Sequence, residues 1–303
     1  MSRGNRVALV VVALALLGVF ACAVVAVLAR IGGDLMPGRG IGVVRIEGVI
    51  VSASQGGFSA NATVADERVI ADLERADNDP SIAAIVLRIN SPGGGVVASD
   101  EIYRAVKRVE KPVVAYFGET AASGGYYVGC AADLIVAHPD ALTGSIGVIM
   151  DIVNARRLFD KLGIEMVAIK SGVVKDIGSP YREMTDDERT VLQALVDEAY
   201  QNFVDIVAKE RGLPREEVLQ VADGRVFTGR RAVELGLVDE TGSFKDAVRA
   251  AADLAGIQGE PRVVEITRQP TLLGSLLSSV SYLGSLLQMD GVSGPRLEYR
   301  SAP

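Results

Sequence analysis

The chain has 303 residues, 49% of them hydrophobic, and a formal net charge of −7. That length allows a membrane anchor plus one large or two smaller domains with proper cores, and the acidic balance leaves no basic footprint, so nucleic acid is set aside as a partner. Two cysteines, Cys22 and Cys130, cannot form a disulfide framework, and a single histidine, His138, excludes histidine-rich zinc sites.

From the N-terminus, Val7 to Ala29 is an uninterrupted run without a charged side chain or proline, long enough to span a bilayer. Arg3 and Arg6 precede it, whereas Arg30 is followed by Asp34, so the positive-inside bias leaves the N-terminus in the cytoplasm and the bulk of the chain outside. A cleaved signal peptide is the rival reading, but its apolar core would be shorter. Lipid modification of Cys22 is disfavoured by Phe20 and Ala21 before it. Residues 1–30 are therefore expected to be cytoplasmic N-terminus and anchor, and the glycine-rich 31–40 a linker.

The folded part begins at Ile41. IGVVRIEGVIV (41–51) alternates and is β-branched, so it predicts a strand, and SASQGGFSANAT (52–63) a polar loop. A helical period follows, with Val69, Ile70 and Leu73 on one face, and ends before Pro80; IAAIVLRIN (82–90) then reads as a buried strand. Next come a helix over 96–109, the strand VVAYF (113–117), a helix from Ser123, the strand LIVA (134–137), a helix near 151–161 and the strand EMVAIK (165–170). Strands alternating with helices imply βαβ units and a mostly parallel sheet.

A long helix over 186–211 is opened by the capping-box-like TDDE at Thr185 to Glu188. Helices near 214–222, 228–236 and 243–255 follow, with a strand-like LVDE before the last. In TLLGSLLSSVSYLGSLLQM (271–289), Leu272, Leu276, Val280, Leu283 and Leu287 fall near one helical face. That stripe reads as a core or subunit contact, because the opposite face lacks the Lys and Arg of an interfacial helix.

Two stretches can carry chemistry. NSPGGG (90–95) follows a buried strand; Pro92 fixes a turn, and three glycines let backbone N–H groups approach a ligand closely. It is no phosphate loop, since Gly-Lys-Ser/Thr is missing, but the carboxyl end of a parallel strand is where α/β sheets bind ligands. TAASGGYY (120–127) puts Ser123 at a helix start, which suits either a capping serine or a nucleophile whose oxyanion product needs donors. If Ser123 is a nucleophile, its base is either His138, held in a rigid His-Pro turn, or a lysine kept neutral by burial. Lys170 and Lys175 lie in AIKSGVVKDIGSPYREMTDDE, a loop of the kind that carries function; the ordinary reading of each is a solvated surface charge.

Taken together and in order, NSPGGG, TAASGGYY, TGSIGV (143–148), KSGVVKDIGSPYREMT (170–185) and DGRVFTGRRAVELGLVDE (223–240) resemble the signal peptide peptidases of the SppA type. These are membrane-anchored Ser/Lys peptidases sharing the ββα superhelix fold of the Clp peptidase subunit and the crotonases. The resemblance runs from about residue 41 to 255 and implies an α/β peptidase domain over 41–256, with 257–303 as a tail that no motif maps. It places the nucleophile on Ser123 and the base on Lys175, leaving Lys170 a bystander. The backbone N–H groups of Gly94 and Gly124 are then the natural oxyanion donors, and Ser145 resembles the hydroxyl that orients the lysine. No cofactor and no metal are expected. The resemblance further implies peptide substrates, above all residual signal peptides, and a homo-octamer in which serine and lysine come from neighbouring subunits. A related protease acting on a stomatin-like partner, or a non-catalytic crotonase-like scaffold, are the competing readings.

Overall fold

The computed structural model describes residues 39–52, 63–266 and 298–300. The expected anchor at Val7–Ala29 and the amphipathic stretch 271–289 lie outside the described residues. Among the described residues no helix is long and apolar enough to cross a membrane.

The strands are β1 (Gly40–Glu47), β2 (Val49–Val51), β3 (Thr63–Ala65), β4 (Ile82–Ser91), β5 (Gly93–Gly95), β6 (Val113–Ala122), β7 (Leu134–Ala137), β8 (Leu142–Gly144), β9 (Val226–Thr228), β10 (Glu240–Thr241), β11 (Val263–Glu265) and β12 (Glu298–Arg300). The helices are α1 (Asp66–Asn78), α2 (Val96–Arg108), α3 (Gly124–Gly129), α4 (Arg156–Leu162), α5 (Asp186–Arg211), α6 (Arg215–Val221), α7 (Gly229–Glu234) and α8 (Phe244–Leu254). The larger sheet runs β10-β7-β6-β4-β1-β11, with β8 on β6 and β9 on β8; the smaller runs β12-β5-β2-β3. All pairings are parallel except β8 with β9 and β5 with β12.

The near-continuous apolar strands follow from burial on both faces. Ile41 and Val43 of β1, Ala84 and Val86 of β4, and Val114 and Tyr116 of β6 face α8, where Ala247, Val248, Ala251 and Ala252 meet them. The alternate residues Val44, Ile46, Ile85, Leu87, Ala115 and Phe117 face the opposite way, against α1, α2, α3 and α5. The two-residue period of the strands thus sorts side chains into two cores on either side of one sheet. Small residues on α8 let that helix approach the sheet closely.

Three details depart from the sequence expectation, and the length of one helix refines it. The first strand is broken at Gly48, whose φ of 90° turns the chain so that β1 stays in the large sheet and β2 joins the small one. The helix after Ser123 is only six residues long. The stretch 165–170 forms no strand: it has no ladder partner among the described residues, and Ile169 is 100% exposed. The sheet also continues past residue 256, because Val263–Glu265 pairs in parallel with β1.

Candidate active site

The site is built at the carboxyl ends of two neighbouring parallel strands. Near the ends of β4 and β6, Ser91 stands opposite Ala121, so the glycine turn that follows β4 and the serine that follows β6 emerge side by side. On the other edge of β6, Ala122 stands opposite Gly144 of β8. Ser123 therefore sits between the glycine strand β5 and the Gly144–Ser145 corner.

Ser123 is held in an unusual state. Its φ is 52° and its ψ −117°, and the side chain is fully buried. A non-glycine residue in that backbone region costs about 1–3 kcal/mol. The backbone N–H donates to Gly144 O over 2.8 Å, and the carbonyl accepts from Tyr127 N–H at 2.8 Å, which pins the residue from both sides. The Oγ has no hydrogen-bond partner among the described residues. A helix cap would accept from the first turn; this serine does not, so capping does not account for it. A strained serine at a sharp strand-to-helix turn is the arrangement that presents a nucleophile.

The surroundings fit that geometry. In α3 the ladder starts at Tyr127, so the N–H of Gly124 precedes it and the helix itself cannot satisfy it. Gly94 pairs with Ile50 of β2 and, on its other edge, with Tyr299 of β12. A Cβ there would lie 1.9 Å from Ile50 O, so only glycine fits. Gly93, at φ 103°, donates its N–H to Ser91 Oγ over 3.1 Å, and Ser91 is itself fully buried. Gly125 must also lack a Cβ, which would meet Ser91 O at 2.8 Å. Ser91 thus holds the glycine strand and the start of α3 at a fixed distance.

Ser145 follows Gly144 with a φ of 51° and is nearly buried; its N–H donates to Arg225 O at 2.8 Å. Thr143, fully buried, donates its hydroxyl to Ala121 O at 2.7 Å and locks β8 to β6. His138 is a turn residue: its Nδ1 accepts from Asp140 N–H at 3.2 Å and its N–H donates to Phe117 O. Burial pushes the Cys130 thiol up to about 12, which keeps it protonated and unreactive. Among the described residues no three His, Cys, Asp or Glu side chains are grouped to hold a metal ion.

The two lysines are placed differently. Lys170 Nζ lies 2.6 Å from Asp176 Oδ1 and donates to Val173 O at 2.8 Å, so two of its three protons are engaged. Lys175 is exposed in a run of turns, where its N–H donates to Gly172 O, and its ammonium pairs with nothing among the described residues. Within one chain, the Ser123 hydroxyl and the Lys175 ammonium are not hydrogen-bonded. The stretch 149–174 around them exposes Val153, Leu158, Leu162, Val167, Ile169 and Val173.

The profile of Peptidase family S49 matches residues 105–258, just over half of the chain. The chain belongs to that family. The Clp protease profile also matches, over residues 57–141, in keeping with the Clp/crotonase-like α/β fold of this S49 chain. The chain is similar to a candidate protease of Methanocaldococcus jannaschii, 43% identical over 64% of this chain and 62% of that protein. It is similar to a candidate protease of Synechocystis sp., 48% identical over 60% of this chain and 66% of the relative. A candidate signal peptide peptidase SppA of Enterococcus faecium is 37% identical over 67% of this chain and 60% of its own length. The matched stretch therefore spans somewhat under two thirds of these relatives.

Two sets of residues around the site escaped the sequence reading. Ser91 sits inside NSPGGG, where attention falls on the glycines. The cluster of Arg182 and Asp176 in the loop with Glu188 in the first turn of α5 follows Lys175; its one local signal was the Thr185–Glu188 capping box, whose two hydrogen bonds are both present.

Proposed function

We propose that this S49 chain is a membrane-anchored serine endopeptidase that hydrolyses residual signal peptides and other membrane-near segments, with Ser123 as nucleophile and Lys175 as general base. The observation that carries the reading is Ser123 itself: strained, buried, with an unpartnered Oγ, between the glycine strand and Gly144. A fold tolerates such cost where chemistry needs it.

In this mechanism neutral Lys175 takes the proton of Ser123 Oγ–H as the oxygen attacks the peptide carbonyl. The N–H groups of Gly94 and Gly124 hold the oxyanion. The C–N bond then breaks, the lysine returns its proton to the leaving amine, and an acyl-enzyme remains. Water, deprotonated by the same lysine, attacks the ester; the ester C–O bond breaks, and the lysine returns the proton to Ser123 Oγ, restoring the free hydroxyl and the neutral amine. Ser145, next in line after Gly144, orients the lysine.

The exposure of Lys175 and the apolar surface over 149–174 support a homo-oligomer, an octamer on the family resemblance, in which the lysine of one subunit serves the serine of its neighbour. The pairing of β12 with β5 supports extended substrate binding: a peptide laid antiparallel on the same edge would bring a carbonyl past Gly94. The apolar run at Val7–Ala29 with Arg3 and Arg6 before it supports an anchor whose catalytic domain lies outside the cytoplasm. The Enterococcus relative's name supports signal peptides as substrate.

The test is to incubate the full chain in detergent with a released signal peptide and map the products by mass. Cleavage within the apolar core of the peptide, absent in Ser123→Ala, is expected. Intact signal peptide beside cleavage of a stomatin-like partner would transfer the activity to the competing substrate.

A further inference from the structure

The residue adjacent to Lys175 in sequence is held by an arginine that the mechanism above does not use. Arg182 Nε donates to Asp176 Oδ2 at 2.9 Å, and Nη2 donates to Asp176 Oδ1 at 2.8 Å and to Asp176 O at 3.2 Å. The same guanidinium donates through Nη1 to Glu188 Oε2 at 2.8 Å and to Glu183 O at 3.0 Å, and through Nη2 to Glu188 Oε1. Both carboxylates are gripped in a fork, and every N–H-bearing nitrogen of the group is engaged. Glu188 is buried, with 2% of its surface exposed, and closes the capping box of α5 on Thr185. One side chain thus ties the turn carrying Lys175 to the first turn of the 26-residue helix α5, the longest rigid element of the described chain.

The loop needs such a tether. Around Lys175 the backbone makes only short-range turn bonds: Lys175 N–H to Gly172 O, Ile177 N–H to Val174 O and Ser179 N–H to Asp176 O. The nearby apolar side chains Val173 and Val174 are exposed and supply little packing. Two contacts anchor the far side, Ala155 N–H to Pro180 O and the edge-to-face rings of Phe159 and Tyr181. Between those contacts and Lys175, the Asp176–Arg182 fork is the principal side-chain anchor, and Lys170 adds a second cation to the same carboxylate.

We propose that Arg182 is a positioning residue for the general base: acting through Asp176 and braced by Glu188, it fixes where the Lys175 backbone presents its ammonium to Ser123. This rests on Lys175 being the base. A lysine cannot replace the arginine, because an ammonium does not match two carboxylates bidentately at once. A base displaced by an ångström loses on the order of 100-fold in rate with little change in substrate binding.

Three variants of the full-length protein test this. Asp176→Asn removes the fork beside Lys175 while leaving Arg182–Glu188 and the α5 cap in place; Arg182→Gln and Arg182→Lys remove or blunt it from the other side. Lys175→Ala is the control for the underlying reading. On a fluorogenic peptide, Asp176→Asn and Arg182→Gln are expected to lower kcat on the order of 100-fold with KM within about 2-fold, and to change the pH profile of kcat/KM. Arg182→Lys should not rescue, and Asp176→Asn should remain folded at the assay temperature with the assembled mass of wild type. Wild-type kcat and pH profile in Asp176→Asn, with Lys175→Ala inactive, sink the positioning role alone. A kcat lost only in proportion to folded, assembled protein also overturns it, as a merely structural contact. An active Lys175→Ala removes the base assignment and the positioning role together.

Discussion

The backbone N–H of Ser123 donates to the carbonyl of Gly144 over 2.8 Å, joining the strained serine to a second residue of positive φ, Ser145, one position further on. A strand end on one side and a three-residue strand on the other hold a conformation that Ser123 would not choose. Substituting glycine should release it. Ser123→Gly is expected to raise stability by about 1 kcal/mol, as relief of an unfavourable φ, and to abolish hydrolysis, which urea unfolding and a peptide assay would read together. A Ser123→Gly protein less stable than wild type would mean the backbone there is not strained.

Gly94 should tolerate nothing larger. A Cβ 1.9 Å from Ile50 O must push β5 off β2, so Gly94→Ala is expected to cost at least about 1–3 kcal/mol and to lose activity. The same change at Gly95, where an added Cβ meets nothing closer than 3.8 Å, is expected to be mild. Paired melting and activity measurements distinguish the two; equal effects at both positions would remove Gly94 from its special place.

Acid should loosen the Lys175 loop. The guanidinium of Arg182 holds the Glu188 carboxyl at about 2, against an ordinary 4.5, and together with Lys170 it holds Asp176 well below the usual carboxylate range. A carboxyl depressed in the folded state adds stability that is complete above its unfolded value and is lost as pH falls through the folded one. For Glu188 that window runs from about 4.5 down to about 2. Urea unfolding across this range should show wild type losing more stability than Arg182→Gln; parallel curves would show that the cluster is not coupled to folding.

The β12 pairing makes a further prediction. Glu298–Arg300 occupies the edge of β5 that an extended substrate would use, so deleting residues 298–303 should lower KM for peptide with kcat retained. An unchanged KM would mean that substrate takes another edge.

How far the sequence carried these conclusions depended on the range of the interactions involved. The buried strands Ile82–Ser91 and Val113–Ala122 were legible because an apolar run covered on both faces needs no partner to be recognised. Thr185 and Glu188 announced the start of α5 through a local motif. By contrast, β8, β9 and β11 are three residues each and exist only through partners far away in sequence, such as Thr143 opposite Phe227 and Ile41 opposite Val263. EMVAIK has strand composition but pairs with no strand among the described residues, and its side chains are exposed. The site divides the same way. Ser123 follows β6 and Gly124 opens α3, as TAASGGYY suggests, whereas the glycines of NSPGGG, expected as a turn, pair as β5, and the Arg182 cluster was invisible because its two carboxylates converge only after the loop folds.

Sharing of the site between subunits can be read by complementation. Mixing inactive Ser123→Ala with inactive Lys175→Ala subunits should restore part of the activity, since some interfaces then pair an intact serine with an intact lysine. Mixed oligomers confirmed by mass yet inactive would confine each site to one chain.

The most direct measurement is covalent labelling with a serine-directed fluorophosphonate, followed by peptide mass mapping, on wild type and Lys175→Ala. A single adduct on Ser123 is expected, formed at least about 100-fold more slowly without the Lys175 base. An adduct on another serine, or labelling of Lys175→Ala at the wild-type rate, would contradict the Ser123–Lys175 mechanism.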